Sequence, residues 1–267
     1  MNFNKLRSIF FNKNPFQYET DVPFAKGRLA ICQNLNLYIT LIPKNLSSST
    51  IYHILSLDYP KLAETVDITS SAEIHRYTGL VLVKSLRNLD QSYKKLIILR
   101  DPVKRVLSGF YSKFIFDVAW SSEIIDPISL FLNKPIADIT FRDFIFYLQC
   151  RPDEWLDAHF TSQSRFALFS NYDIYLNMDH RESLSEHLKV LGLDLPRVND
   201  VATRFTPNTS SDFTNVDCSI MRVKDFWDLV ENNCSLPMLT EMVPNDLIEA
   251  IKKRFIVDYQ LLDKCIN

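Results

Sequence analysis

Glycine is scarce in this chain, which has four glycines among its 267 residues. Glycine-rich loops bind phosphate by bringing backbone N–H groups close to the ligand, and the GxxxxGK[ST] form of that loop is absent here. Any phosphate-binding loop in this protein must therefore be built from other residue types.

The chain also lacks paired cysteines. Its five cysteines are scattered, odd in number and without a CxxC pair, which argues against a metal centre. They are Cys32, Cys150, Cys218, Cys234 and Cys265. This pattern indicates a reducing compartment, with a Cys218–Cys234 bridge in an oxidising one left open as the alternative.

No strong charge excess and no long apolar run are present. Thirty basic and 32 acidic residues give a formal net charge of −2, which argues against nucleic acid as the main partner. Residues 1–27 contain neither a signal-peptide core nor a membrane span, and they are predicted to form an irregular leader. We expect a cytoplasmic protein with a single domain over residues 1–267.

Two strand–loop–helix units follow the leader. Short β-rich segments at Leu29–Cys32 and Leu37–Ile42 are followed by a polar loop, and helical spacing starts at Ile51. The second unit has a buried strand at Leu96–Leu99, and Asp101 is predicted to cap a helix that opens at Pro102. Repeated units of this kind predict an α/β fold with a central parallel sheet flanked by helices.

The second half of the chain is predicted to be mainly helical. Thr140 precedes an amphipathic segment as an N-cap, with Asp143 three residues further on as its capping-box partner. Gly192 ends another helix, and Pro244 opens a further one. Aromatic residues in the first of these helices are predicted to lie in the core rather than to form a ligand platform. They are Phe141, Phe144 and Tyr147.

The loop between the first parallel strand and its helix is a candidate anion site. A strand-to-helix loop presents free backbone N–H groups and the positive end of the helix dipole at one point. Lys44 adds a cation, and four hydroxyl residues follow it: Ser47, Ser48, Ser49 and Thr50. A serine-rich surface turn is the alternative interpretation of the loop taken alone.

A second motif, RDPxxRxxSxF, follows the buried strand. Arg100 stands at the carboxyl end of that strand, where open α/β sheets bind ligands. Ser108 lies about two helical turns further on, on a polar stripe with Lys104 and Ser112. A guanidinium suits a phosphate because its planar fork binds two oxygens at once. Arg105 is predicted to be structural and to pair with Asp101.

These two motifs resemble those of the sulfotransferases that use 3′-phosphoadenosine 5′-phosphosulfate (PAPS), in particular the carbohydrate sulfotransferases and their bacterial relatives. In that family a PKTxGTS-like loop holds the 5′-phosphosulfate, and RDPxxRxxS holds the 3′-phosphate. Fifty-six residues separate Lys44 from Arg100, and the separation of the two motifs in the family is similar. The resemblance implies a P-loop-NTPase-like sheet and a donor site of Lys44, Asn45, Leu46, Ser47, Ser48, Ser49, Thr50, Arg100 and Ser108.

Three further segments are similar to family motifs. The segment from Asp157 to Gln163 resembles DxHWxPQ, and Asp258-Tyr259 resembles a terminal DY signature. The segment around Asn208 and Ser210 resembles one that closes over the cofactor, which implies that these two residues bind it.

The implied reaction moves a sulfuryl group from PAPS to a hydroxyl of a carbohydrate or small metabolite, without a metal. Lys44 would stabilise the leaving group. A base must take the acceptor proton, and the candidates are His75, His159 and Glu73. The segment Asp117–Pro135 follows the 3′-phosphate helix and is predicted to line the acceptor site.

Two other functions remain open from the sequence. A small-molecule kinase would also use a strand–loop–helix phosphate site, although the Mg²⁺-holding acidic strand end that such an enzyme needs is not evident. A non-catalytic nucleotide-binding protein of the same fold is the second alternative, because Ser47 stands where the family loop has glycine.

Overall fold

The centre of the molecule is a small mixed sheet. The computed structural model describes residues 28–68, 70–84, 86, 89–193, 213 and 216–265, so the predicted leader lies outside it. The strands lie in the order β1-β2-β3-β4. They are β1 (Leu29–Cys32), β2 (Leu37–Thr40), β3 (Lys94–Leu99) and β4 (Ile174–Asn177). Strands β2, β3 and β4 are parallel, and β1 is an antiparallel edge strand.

Helices surround this sheet and make up most of the rest. Those before β3 are α1 (Ser47–Asp58), α2 (Pro60–Ala63), α3 (Ser71–Arg76) and α4 (Thr78–Val81). Between β3 and β4 lie α5 (Pro102–Phe110), a π-helix (Tyr111–Phe116), α6 (Ser122–Leu132) and α7 (Phe141–Cys150), with 3₁₀ turns at Val118–Trp120, Ile136–Asp138, Asp153–Trp155 and Gln163–Phe166. After β4 come α8 (Arg181–Val190), a 3₁₀ turn (Cys218–Ile220), α9 (Val223–Glu231), α10 (Leu239–Met242), α11 (Asn245–Arg254) and α12 (Ile256–Leu262).

The predicted α/β class is confirmed, because both faces of the sheet are covered. Along β3, Leu96 and Ile98 pack into the cluster under α1, whereas Ile97 and Leu99 pack into a cluster on the opposite face. Residues in a strand alternate between faces, so a strand that is apolar throughout must be buried on both sides. The β3 sequence therefore fits an interior parallel strand.

A separate aromatic core holds the helices together. Phe110 at the end of α5 contacts the rings of Phe114, Phe141 and Phe144, with ring centroids 4.9–5.6 Å apart. Phe141 and Phe144 are fully buried and Tyr147 is 5% exposed, which confirms their prediction as core residues. The predicted capping box of Thr140 and Asp143 is present at the start of α7.

The cysteines and the helices each bear on an expectation from the sequence. All five cysteines are free, so the Cys218–Cys234 bridge left open above is not formed. None of the helices in the described ranges combines the length and apolarity that crossing a membrane requires.

Candidate functional site

The loop between β2 and α1 has an unusual backbone for its sequence. Lys44 and Leu46 both take the left-handed conformation, with φ angles of 70° and 62°. Each such residue without glycine costs about 1–2 kcal/mol. Ser47, which replaces the glycine of the family loop, begins α1 and is not left-handed. The chain therefore makes this turn without needing glycine at position 47.

Groups outside the loop hold it in this conformation. The side-chain amide of Asn45 is 3% exposed and donates to the carbonyl of Ile98 at 3.0 Å and to Gln163 Oε1 at 2.6 Å. Arg105 Nε donates to the carbonyl of Pro43 at 3.1 Å. No side chain caps the N-terminus of α1. The N–H groups at this helix end thus keep the free donor character that suits an anion.

Arg105 is structural, as predicted, but its predicted pairing with Asp101 is wrong. Its guanidinium is 1% exposed and also donates to the carbonyls of Thr161 and Ala158, at 2.8 and 3.0 Å. Burial lowers the pKa of this guanidinium to about 10. The side chain turns inward because three carbonyls converge there, and it joins the loop to the segment of Asp157–Gln163.

The second motif is organised by its own residues and by β4. Asp101 is the predicted N-cap of α5, since its Oδ1 accepts from the N–H of Lys104 at 3.1 Å. Asp179 follows β4 and accepts from the N–H of Asp101 at 2.7 Å. Its other oxygen lies 3.3 Å from Lys104 Nζ and 3.9 Å from Arg100 Nε. Sequence analysis missed Asp179, because β4 was not predicted.

Gln163 joins the two motifs. Its Oε1 accepts from the N–H of Arg100 at 3.0 Å as well as from Asn45, and its Nε2 donates to the carbonyl of Arg100 at 2.8 Å. The backbone of Gln163 is fixed in turn by Asp258 Oδ2, which accepts from its N–H at 2.8 Å. Gln163 and Asp258 therefore hold the two motifs in place, although neither residue lines the cleft.

A cleft of about 290 Å³ brings the predicted donor residues together. Lys44 from the loop, Arg100 from the strand end and Ser108 from α5 all line it. The remaining lining residues are Lys104, Leu107, Tyr111, Ser112 and Leu239. The predicted polar stripe of Lys104, Ser108 and Ser112 therefore faces one space.

The electrostatics of the cleft favour an anion. The pKa of Lys44 is lowered to about 8, mainly by desolvation and also by the positive charges of Lys113, Arg100 and Arg105, against the opposing effect of Asp117. A lysine whose charge is disfavoured by neighbouring cations gains the most from a bound anion. The cleft thus has a surplus of positive charge.

The other predicted loop residues contribute differently. Ser49 and Thr50 are buried, at 5% and 2% exposure, and Leu46 packs against the core under α1. Ser47 and Ser48 are half-buried. Lys44 is the loop residue whose side chain lines the cleft.

Two of the three predicted bases lie in α3, and one of them, His75, contacts the loop. His75 in α3 has its Nε2 3.0 Å from Ser48 Oγ and its Nδ1 3.4 Å from Thr78 Oγ1. Desolvation lowers the pKa of His75, and the charges of Arg28 and Lys113 lower it further. Glu73 lies in the first turn of α3, where its N–H donates to Ser70 Oγ at 3.3 Å.

His159 is not among the residues that line the cleft, and it pairs with a carboxylate. Its Nδ1 lies 2.6 Å from Asp157 Oδ1. Desolvation lowers the pKa of His159, the pair with Asp157 raises it, and the charges of Lys113 and Lys44 lower it. The neighbouring Phe160 packs so closely on α5 that a Cβ at Gly109 would lie 2.6 Å from its ring. A glycine at position 109 is therefore required for this close approach.

Lys113 follows the cleft residue Ser112 and does not itself line the cleft. It lies in the π-helix, its side chain is 15% exposed, and its Nζ is 3.9 Å from Asp117 Oδ2. Asp117 accepts in turn from Ser112 Oγ at 2.8 Å. The predicted cofactor residues Asn208 and Ser210 lie outside the described residues.

The fold is of the α/β class and its two motifs meet at one basic cleft, and comparison with known proteins identifies the family. Residues 28–264 match the model of the sulfotransferase family. The chain belongs to the sulfotransferase family.

A curated relative supports this membership. The chain is similar to carbohydrate sulfotransferase 10 of Pongo abelii, with 25% identity over 151 residues, which is 51% of this chain and 42% of the relative. The chain thus spans less than half of that relative's length. No solved structure matches it significantly.

Proposed function

We propose that this protein transfers a sulfuryl group from PAPS to a hydroxyl of a carbohydrate or small metabolite. The observation that carries the proposal is that Lys44, Arg100 and Ser108, from two motifs 56 residues apart, line one cleft. Family membership supports the transfer, and the two basic motifs that line the cleft support PAPS as the donor.

The residues that line the cleft suit a nucleotide that carries one phosphate on the 5′ oxygen of its ribose and another on the 3′ oxygen. Lys44 and the N-terminus of α1 would hold the 5′-phosphosulfate. Arg100 and Ser108 would hold the 3′-phosphate, with Asp179 orienting the basic residues. Bound PAPS supplies an activated sulfuryl group: the bond from sulfur to the 5′-phosphate oxygen breaks with its electrons going to that oxygen, while the acceptor oxygen bonds to sulfur. Lys44 stabilises the charge that develops on that phosphate.

The acceptor proton needs a base, and two histidines meet that requirement. Asp157 fixes His159 in one tautomer by accepting from Nδ1, which leaves Nε2 as an acceptor. His75 contacts the phosphosulfate loop directly through Ser48. Both have lowered pKa values, so both are neutral and able to take a proton near pH 7.

Calorimetric titration with 3′-phosphoadenosine 5′-phosphate (PAP), AMP and ATP tests the donor assignment. We expect PAP to bind most tightly and Arg100→Ala to weaken PAP about 10- to 100-fold while hardly changing AMP. Arg142→Ala, which removes an exposed arginine paired with Asp217 and Asp246, serves as the control. Equal binding of ATP and PAP would instead favour a kinase.

A turnover assay distinguishes an enzyme from a non-catalytic binding protein. It also shows which of the two histidines is the base. We expect labelled PAPS to sulfate an oligosaccharide in an acceptor screen. His75→Ala and His159→Ala are then compared in their rate profiles against pH. Loss of the acidic limb in one variant identifies the base, and tight PAP binding without any product would favour the non-catalytic alternative.

The acceptor segment Asp117–Pro135 includes an indole well placed to contact a sugar. Trp120 is 90% exposed and follows Asp117 in a turn closed by a 2.9 Å hydrogen bond. Because Ile125 and Ile128 of this segment are buried, deleting it would damage the core. Trp120→Ala is the sharper test: we expect the acceptor KM to rise severalfold with PAP affinity unchanged, and an unchanged KM would contradict this role.

A further inference from the structure

One arginine just after α7 is surrounded by aromatic rings. The guanidinium carbon of Arg151 lies 4.4 Å from the ring centroid of Phe131, 5.2 Å from that of Trp155 and 5.8 Å from that of Tyr147. The ring of Phe146 lies next to that of Phe131, with centroids 6.3 Å apart. We call these five residues the Arg151 patch. The patch brings α6, α7 and the 3₁₀ turn that follows α7 together around one cation.

The side chain of Arg151 has no anionic partner among the described residues. It makes neither an ion pair nor a hydrogen bond with them, and its Nε is buried without an acceptor. The two carboxylates that follow it along the chain face other arginines: Asp153 lies 2.6 Å from Arg254, and Glu154 lies 4.0 Å from Arg165. Charged groups withdrawn from water are normally paired. The patch therefore carries a positive charge that an anionic ligand would complement.

Stacking on the rings leaves the donors of Arg151 usable. A guanidinium that stacks on aromatic faces still presents its N–H groups in its own plane, as a fork that matches two oxygens of a carboxylate or sulfate. Burial without an acceptor is confined to Nε, so the two terminal nitrogens stay within reach of a ligand. The rings also restrain the side chain, which lowers the entropy cost of binding.

The rings of the Arg151 patch offer apolar surface as well. Trp155 is 53% exposed and Phe146 is 54% exposed. Large apolar groups that are exposed close together indicate a binding surface, whereas isolated ones do not. A sugar ring has apolar C–H faces that pack on aromatic rings and polar groups at its edge that accept hydrogen bonds. A sugar that bears an acidic group therefore matches both the rings and the guanidinium.

The Arg151 patch adjoins two segments that bear on the acceptor. Phe131 belongs to α6, within the segment Asp117–Pro135 that is predicted to line the acceptor site. Trp155 precedes Asp157 by two residues, so their Cα atoms lie within about 7 Å, and Asp157 pairs with the candidate base His159. If the reacting hydroxyl of a sugar chain met His159, other units of that chain would lie within reach of the patch.

We propose that the Arg151 patch binds a carboxylate or sulfate group of the acceptor, away from the hydroxyl that reacts. This inference rests on the proposed function and selects, from the acceptors named there, an acidic oligosaccharide. None of the five patch residues lines the cleft, so the patch anchors the acceptor without touching the donor.

Three trisaccharides that differ only at carbon 6 of each unit test the proposal. Calorimetry on the full chain, without nucleotide, compares trimers of galactose, galacturonate and galactose 6-sulfate. We expect an acidic trimer to bind about tenfold more tightly than the neutral one, and Arg151→Met to abolish that preference. The acidic trimer that binds better identifies the group as carboxylate or sulfate. Equal affinities, no binding, or a preference that survives in Arg151→Met would overturn the proposal, and so would inorganic sulfate that binds as tightly as the sulfated trimer.

Three further variants separate the patch from general effects. Trp155→Ala removes a stacking surface but no charge, so it is expected to weaken the preferred trimer severalfold and to keep the preference. Arg151→Lys keeps the charge without the planar fork and is expected to lose most of the preference. Arg222→Met removes an exposed arginine paired with Asp225 and is expected to bind like the native protein. Thermal unfolding checks that each variant is folded.

Donor binding and turnover distinguish failure of this inference from failure of the proposed function. Arg151→Met is expected to change PAP affinity less than threefold, because the patch does not line the cleft. With an acidic acceptor, it should raise the acceptor KM about tenfold and leave kcat close to native. A native chain that bound an acidic trimer but neither bound PAP nor used PAPS would disprove the proposed function. Normal PAP binding and turnover with an unchanged acceptor KM in Arg151→Met would disprove this inference alone.

Discussion

The two motifs that meet at the cleft are stabilised in different ways. The helix of the RDP motif begins with local signals, since Asp101 caps α5 and Pro102 opens it, and Gln163 and Asp179 then hold the backbone of Arg100 and Asp101 from other segments. The loop at Pro43–Thr50 has two left-handed residues without glycine and no side-chain cap, and it depends on Asn45, Gln163 and Arg105. The difference shows that a loop without glycine can be held in a left-handed backbone conformation when distant residues supply its restraints.

The largest expected effect concerns Arg105. Arg105→Met leaves the carbonyls of Pro43, Ala158 and Thr161 without their buried donor. Each unsatisfied group costs about 1–3 kcal/mol, so we expect the free energy of unfolding to fall by about 3–5 kcal/mol. Denaturant unfolding measures this.

The control for Arg105 is Arg142→Met, which removes an exposed arginine with two carboxylate partners. Exposed pairs are worth about 0–1 kcal/mol, so the control should stay close to the native protein. If the two variants were equally stable, the loop would not depend on its distant restraints, and the contrast between the motifs would be lost.

Gln163 tests whether one side chain couples the motifs. Gln163→Ala removes its bonds to Asn45 and to both backbone groups of Arg100. We expect a loss of about 2–3 kcal/mol in stability together with weaker PAP binding, because the positions of both loops relax. Unfolding and calorimetry on the same variant measure the two effects.

A buried hydroxyl provides the matched control for Gln163. Ser121 is fully buried, and its Oγ has no hydrogen-bond partner among the described residues. Removing an unpaired polar group relieves its desolvation cost, so Ser121→Ala should be neutral or slightly stabilising and should leave PAP binding intact. Normal PAP binding by Gln163→Ala would show that the motifs are positioned independently.

The next largest expected effect is the pH dependence of PAP binding, which the protonation of Lys44 causes. Its pKa of about 8 lies below the ordinary 10.5, so above pH 8 the free protein loses this proton. Bound phosphate favours the charged lysine and raises its pKa. We therefore expect proton uptake on binding and a roughly tenfold fall in PAP affinity between pH 7.5 and pH 9. Calorimetry in two buffers of different ionisation enthalpy measures both quantities.

Lys44→Arg is the control, because a guanidinium stays protonated throughout this range. That variant should bind PAP without taking up a proton near pH 8.5. Proton uptake of the same size in Lys44→Arg would assign the titration to another group.

Features that depend on neighbouring residues were predicted from the sequence, whereas contacts between distant segments were missed. Strand β3, the Asp101 cap and the Thr140 capping box follow from neighbouring residues, and so does the stripe of Lys104 and Ser108. Strand β4 is only four residues long and was missed, and Asp179 with it. The π-helix that follows α5 was missed as well, because an α-helical period in the sequence cannot indicate it.

The structural role of Arg105 shows the same limit. An i to i+4 spacing to Asp101 predicts an ion pair, and that is what a solvated helix would form. In the folded chain three carbonyls from two other segments compete for the guanidinium, and they are buried with it. Spacing along one helix carries no information about those segments.

The smallest expected effect concerns the cap of the helix in the RDP motif. Asp101→Ala should cost about 1 kcal/mol of stability, as N-caps do. Thr140→Ala, at the N-cap of α7 and outside the cleft lining, should cost a similar amount. Because Gln163 bonds to both backbone groups of Arg100, we expect Asp101→Ala to change PAP affinity less than threefold. A tenfold loss of PAP affinity in Asp101→Ala alone would mean that the cap itself positions Arg100, and this local signal would then matter for function as well as for folding.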